Sequence, residues 1–433
     1  MPRPHLSRVP FSSALFALAA CSAALTAQGG QEPSRATLEE RLRALEARVQ
    51  ELEDPGVTPS PGERPLLRHE ATHSTPEGFW AVPGTDLAIK IGGYTKLDLI
   101  HDFQDVGNRF KFATNTIAVP TDDRSQTTLH ARESRLFLDT RSELEGLPVR
   151  VYVEGDFFGD GNGFSLRHAY GQWGGLLAGQ TWTTFMDLSS RPHTLDFEGP
   201  DAELFIRNPM LRWGAKISSG WSYAVAVEQA SQQLSGPSGA PLPGEAVTAL
   251  PDFTGHVRLE QGGWHGQLAA VVRQLSFEAD PAAAASDDDA LGFGVALSGK
   301  TELGDPGRRL MGQVSFGEGY AYYNQSLRGT DSDAVYTATG LQALEAFTAV
   351  LGYEHDWSAR WTSTAAWSMA RVDDAPGRAQ TAIRGTQSAS VNLCWQPSHR
   401  FLAGVEYLYG VREDVSRRIG EAHRVQFSFK FLF

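Results

Sequence analysis

The chain holds two cysteines in 433 residues, Cys21 and Cys394. Cys21 lies in the N-terminal apolar segment, so the remainder carries a single thiol. A disulfide-stapled scaffold is thereby excluded. Cys394 falls in an alternating segment, where a small apolar side chain suffices. After the N-terminus no run approaches the roughly eighteen apolar residues that a membrane-crossing helix needs. Basic charge is also scarce: Lys and Arg number 38 against 51 Asp and Glu, a net charge of −13. With no basic cluster to neutralise phosphates, a general nucleic-acid partner is excluded. H-E-x-x-H and G-x-S-x-G are absent, and the histidines are scattered. The sequence therefore nominates no metal site, cofactor or catalytic set.

What is present begins with an export signal. Arg3 and Arg8 precede an apolar run from Phe11 to Leu25, and small residues end it near Ala27. Residues 1–27 read as a signal peptide. Leu18-Ala19-Ala20-Cys21 also fits a lipobox, so cleavage near Ala27 and lipidation at Cys21 both stay open. Residues 34–54 follow as a heptad helix, with Leu42 and Val49 at a and Leu38, Leu45 and Leu52 at d. Two heptads are marginal alone, so the helix calls for partner copies. Residues 55–86 are proline-punctuated and aperiodic, a linker.

From Leu87 to Phe433 the period is two. In the last segment Val425, Phe427, Phe429, Phe431 and Phe433 alternate with Arg424, Gln426, Ser428 and Lys430. One face suits lipid and the other water. Similar stripes recur, among them Val149, Val151 and Val153, and Phe347, Ala349, Leu351 and Tyr353. A soluble sandwich would also alternate. The connections discriminate, because they run short and long in turn. Short turns fall near 145–148, 174–175, 218–220, 262–263, 302–308, 356–360 and 396–399. Long segments fall near 103–126, 158–165, 185–206, 231–252, 276–289, 319–344, 372–385 and 412–422. Fifteen connections imply sixteen strands, an even number with both ends on the short-turn side, as in outer-membrane barrels. The expected fold is all-β: a transmembrane antiparallel barrel of about sixteen strands over 87–433, preceded by the short coiled coil. Its surroundings would be outer-membrane lipid. Phe433 would serve as the terminal signal read by the barrel-assembly machinery.

A sixteen-stranded barrel encloses an aqueous lumen. Selectivity then requires something folded into it, and the third long loop, 185–206, is the natural candidate. By strand parity Arg135, Asp139, Arg141 and Glu143 face the lumen, because Leu136, Leu138 and Leu144 face away. Arg150 points inward on the next strand. Between Gln126 and Trp213 acids outnumber bases and lysine is absent, so these arginines either set a basic field or merely pair with neighbours.

Several short segments carry a resemblance. They are Ser134-Arg135-Leu136-Phe137-Leu138-Asp139-Thr140, Arg167-His168-Ala169-Tyr170-Gly171, Gly179-Gln180-Thr181-Trp182, Leu195-Asp196-Phe197-Glu198-Gly199-Pro200 and Arg207-Asn208-Pro209 with Arg212. As a set, with the heptad helix ahead of them, they resemble DcaP-like porins, most closely from Gln126 to Trp213. The resemblance implies a homotrimer with a periplasmic coiled coil and passive uptake of small anionic solutes such as dicarboxylates. It places Asp196, Glu198, Arg207 and Arg212 at the constriction.

Other readings are weaker. Gly294 to Thr301 matches a P-loop letter for letter, but its residues alternate as a strand and a turn follows where a helix is required. Asp160-Gly161-Asn162-Gly163 lacks the later carboxylates of a calcium loop. Ser190, His193 and Asp196 are the nearest thing to a hydrolase set. The coiled coil and linker suggest an alternative role as a tether to the cell wall. The chain is not expected to be an enzyme.

Overall fold

The computed structural model describes residues 78–433 apart from 230, 305 and 306. The signal peptide, the heptad helix with Leu38, Leu42, Leu45, Val49 and Leu52, and the linker as far as residue 77 lie outside the described residues.

Sixteen strands make the wall: β1 (Ala88–Asp102), β2 (Gln126–His130, resumed at Arg135–Leu144), β3 (Leu147–Asp156), β4 (Ser165–Trp173), β5 (Leu176–Trp182), β6 (Arg207–Ser218), β7 (Trp221–Glu228), β8 (Asp252–Gln261), β9 (Trp264–Ala279), β10 (Asp288–Glu302), β11 (Arg308–Glu318), β12 (Glu345–Ser358), β13 (Trp361–Val372), β14 (Ile383–Ser398), β15 (Phe401–Asp414) and β16 (Ile419–Leu432). Each pairs antiparallel with the next. β16 returns to β1, with Leu97 opposite Phe429 and Tyr94 opposite Leu432. Gly93 and Phe433 exchange backbone hydrogen bonds at the closure. Among the described residues the sheet has no free edge, so its ladder hydrogen bonds are made within the wall, as a bilayer demands.

Period-two alternation decides which face meets lipid. Leu268, Leu297 and Phe316 lie outward and are 56–58% exposed. Residues between them in register, such as Gln267, Ser298 and Ser315, are buried inside. The usual arrangement of a soluble protein is inverted: apolar side chains coat the outside and polar ones fill the interior. Hairpins at one end are tight. Glu145 and Gly146 both take positive φ, 53° and 77°, the geometry of a two-residue turn that matches the strand twist.

At the other end the connections are long, as the sequence predicts, with one exception. The last was expected over 412–422. Instead β15 and β16 stay paired out to Glu413 and Ile419, leaving a turn at 415–418. Asp414 fastens this turn, accepting from Ser416 Oγ at 2.6 Å and pairing with Arg418 at 3.0 Å. The P-loop-like stretch 294–301 lies within β10.

The long connections are numbered L1 (103–125), L2 (157–164), L3 (183–206), L4 (229–251), L5 (280–287), L6 (319–344) and L7 (373–382). L3 and L6 fold inward and build an apolar core inside the barrel. Phe185, Leu204 and Ile206 of L3 pack with Tyr320, Tyr323 and Leu327 of L6 against Ala269, Val271, Ala346 and Val372 on the wall. Val106, Phe112 and Ile117 of L1 pack on Leu408 and Ala422. Part of the lumen is thus a conventional protein interior.

Candidate functional site

L3 is held to a broad arc of wall running from β7 to β1. Glu228 on β7 accepts the Thr184 N–H at 2.7 Å. Asp187 receives Arg258 of β8 at 2.9 Å, His265 of β9 at 2.8 Å and Ser298 of β10 at 2.9 Å. Glu354 on β12 accepts the His193 N–H at 3.0 Å, and Asn392 on β14 donates to the His193 carbonyl at 2.9 Å. Glu406 on β15 accepts the N–H groups of Leu195 and Asp196 at 2.9 and 2.7 Å. Gln426 on β16 and Lys96 on β1 both donate to the Leu195 carbonyl. L6 completes the hold: Asn324 donates to the Ala202 carbonyl at 2.7 Å, Gln325 to the Glu198 carbonyl at 2.6 Å, and Arg328 to the Phe205 carbonyl at 2.8 Å.

The remaining arc, β2 to β5, meets L3 through rings. Phe197 lies under the Arg167 guanidinium at 5.2 Å and packs on Phe158 at 4.1 Å. Phe205 packs on Trp182 at 4.3 Å. Here Arg167 is buried, but three other arginines keep contact with solvent. Arg141, Arg150 and Arg135 are 43%, 28% and 24% exposed, whereas Arg273 and Arg424 on the filled side are at 0%.

The sequence-predicted residues separate into two groups. Arg135, Asp139, Arg141 and Arg150 do share one inner face. Asp139 sits between Arg141 and Arg150, with both oxygens bonded to each at 2.9–3.0 Å. Arg150 also lies over the Tyr152 ring at 4.7 Å. Arg135 pairs with Glu154 at 3.4 Å. Arg207 stacks on Trp182 at 4.8 Å, and its Nη1 is buried without a hydrogen-bond partner. Neither Arg207 nor Arg212 makes an ion pair among the described residues.

Asp196, expected to present charge at the constriction, is turned away and enclosed. It accepts the N–H groups of Phe112 and Glu198 and pairs with the fully buried Arg424 at 3.3 Å. Burial raises its pKa, against the pull of Arg424. Glu198 is also buried, with its carboxylate 3.2 Å from Lys111 of L1. Burial also lifts Asp201 and Glu203, each to about 7. L3 thus withholds much of its acidity from the lumen. Ser190, His193 and Asp196 do not converge: the Ser190 hydroxyl donates to the Asp187 carbonyl, and burial holds His193 down at about 4.

Sequence reasoning missed several cations here. Arg167 is one. A register shift pairs Glu154 with His168 but Gly155 with Leu166, so both Arg167 and His168 turn inward. Simple parity cannot find a bulge. Lys111, Arg191 and Arg328 come from loops. The clue to L6 was its aromatic stretch Tyr320-Ala321-Tyr322-Tyr323, too apolar for a solvated outer loop.

The porin subfamily matches this sequence over residues 76–420. The chain belongs to that porin subfamily. Among solved structures it is similar to the outer-membrane channel DcaP of Acinetobacter baumannii, with a TM-score of 0.72 at 20% identity, covering 82% of this chain and 99% of that one. An anion-selective porin from Comamonas acidovorans aligns with a TM-score of 0.52 at 12% identity, covering 80% and 100%. OmpT of Vibrio cholerae aligns with 0.51 at 10%, covering 82% and 100%. These likenesses establish a shared barrel. No curated protein gives a significant sequence match. A porin resides in the outer membrane and passes solutes through its lumen, and in this porin the β2–β5 side is where polar, solvated groups remain.

Proposed function

We propose that this porin is a passive diffusion channel preferring small anions, dicarboxylates among them. One observation carries the reading: Arg135, Arg141 and Arg150 keep contact with the solvated lumen while most carboxylates of the same stretch are buried. Asp139, Asp156, Asp187, Asp196, Asp201 and Glu203 are all at most 6% exposed. Arg207 and Arg212 make no ion pair among the described residues, and guanidinium groups remain charged across the accessible pH range. The acidic excess of the sequence therefore does not become an acidic lumen. A basic wall facing a largely neutralised loop attracts anions and orients them across the pore. Arg135, Arg141, Arg150, Arg207 and Arg212 would supply the field. Asp196 would serve as a loop anchor, and Glu198, tied to Lys111, as a weak counter-charge.

The Comamonas porin is named for anion selectivity. At 12% identity that likeness extends to the fold, so the case rests on the residues above. One OmpT structure is described as a trimer form. For this chain a homotrimer is proposed from the heptad positions Leu38, Leu42, Leu45, Val49 and Leu52, in a periplasmic coiled coil. Phe433, exposed at the barrel seam, fits a role as an assembly signal. The same coiled coil and linker favour a secondary tether role, which retention on purified peptidoglycan would support.

The decisive experiment is the reversal potential across a planar bilayer in a salt gradient. An anion-selective sign is expected. Replacing Arg207 and Arg212 together by Gln should reduce the anion-to-cation permeability ratio severalfold. A cation-selective wild type would overturn the proposal.

A further inference from the structure

L1 meets the tip of L3 through three carboxylates. Lys111 pairs with Glu198, the Phe112 N–H donates to both oxygens of Asp196 at 3.1 Å, and Thr114 donates to Asp201 through its N–H at 3.0 Å and its hydroxyl. Two of these acids have a cation. Among the described residues Asp201 has none: its Oδ2 takes both Thr114 donors, and its Oδ1 is buried without a hydrogen-bond partner.

The charged groups around it are otherwise engaged. On L3, Asp196 is bound to Arg424 of β16, and Glu203 to Arg191 at 2.7 Å. On L1, Lys111 faces Glu198. On β15, Arg412 donates to the carbonyls of Asn115 and Ile117, and on L6 the Arg328 carbonyl accepts from Asn115. The nearest charges acting on Asp201 are Glu198 and Asp196, both of its own sign. A carboxylate enclosed this way, with one oxygen orphaned and acids for neighbours, is unstable; a neutral carboxyl is not.

We infer that the L1–L3 contact is a proton-dependent clasp, closed while Asp201 is protonated and loosened when it ionises. The consequence for transport follows from position. Lys111 lies over Phe158 of L2 at 5.4 Å and Phe197 of L3 at 5.2 Å, so the clasp gathers three loops beside the solvated wall. Loosening it frees the L3 tip there.

The direction with pH is set by the raised value. Burial pushes Asp201 up to about 7, against 3.8 for an unconstrained aspartate. A raised acid stabilises the clasp fully below the ordinary value. That contribution declines as pH climbs and is gone above about 7.

The test is single-channel recording of the purified full-length protein between pH 5 and 8.5, with Asp201→Asn beside the wild type. Asparagine keeps an acceptor for the Thr114 N–H and never ionises. The wild type should pass from quiet openings at low pH to openings with severalfold more frequent flicker above pH 7. D201N should stay quiet throughout. Thr114→Val, which removes a donor that favours the ionised form, should move the transition to higher pH. It also keeps the proposal testable if D201N fails to assemble as a heat-modifiable barrel. Wild-type traces that do not change with pH, or a D201N channel that titrates like the wild type, would overturn the clasp.

Discussion

Arg273 and Arg150 carry the same guanidinium on the inner face of one barrel, in opposite circumstances. Arg273 is sealed between Asp252 and Asp333, at 3.1 and 3.2 Å, beneath the Tyr322 and Tyr323 rings. Arg150 shares Asp139 with Arg141 and keeps over a quarter of its surface in solvent. The filled side uses charge to fix loops, meeting its buried arginines, Arg273 and Arg424, with opposite ions. The open side leaves cations incompletely matched, and unmatched charge at a wet surface is what a passing ion can sense. Within one lumen, burial separates a structural use of arginine from a conductive one.

The difference can be broken from the filled side first. Arg273→Ala would strand two buried carboxylates and cost about 3–5 kcal/mol. The readout is the temperature at which the folded, fast-migrating form is lost on gels, which should fall steeply. An unchanged midpoint would mean that L6 is not held by this cluster. Leu204→Ala opens a cavity in the L3–L6 core and should cost about 3 kcal/mol. Because that loss falls on loop seating, conductance should rise and become noisier while the heat-modifiable barrel persists. A quiet channel of ordinary conductance would show that the core does not restrain L3. On the open side, Arg150→Gln should cost about 1 kcal/mol or less, since the pair is shared and partly solvated. Its reversal potential should nevertheless move toward cations. A large stability loss with no change in selectivity would reverse the assignment of the two sides.

Much of the barrel was legible because alternation and loop length are local signals. The stripe ending on Phe433 and a short turn near 145–148 need no tertiary knowledge. The length of the last loop was misjudged because Arg412, Glu413 and Asp414 look like loop residues, yet they remain in strand pairing at the rim. The candidate site was less legible. Parity placed Arg135, Asp139 and Arg150 on one face, but a bulge hid Arg167. Nothing local told that the Asp196 carboxylate would turn to Arg424, more than two hundred residues away in sequence. The role of L6 depends on contacts with L3 that arise only when both enter the lumen.

One further consequence lies at the join of first and last strands. Asp102 on β1 holds Arg424 on β16, and Asp98 holds Gln426 and Ser428. Both Arg424 and Gln426 also reach L3, at Asp196 and at the Leu195 carbonyl. The polar network that zips the join is therefore incomplete until that loop is in place. A C-terminal strand docked without that loop would leave these groups unsatisfied, so closing the cylinder and seating the loop are energetically coupled.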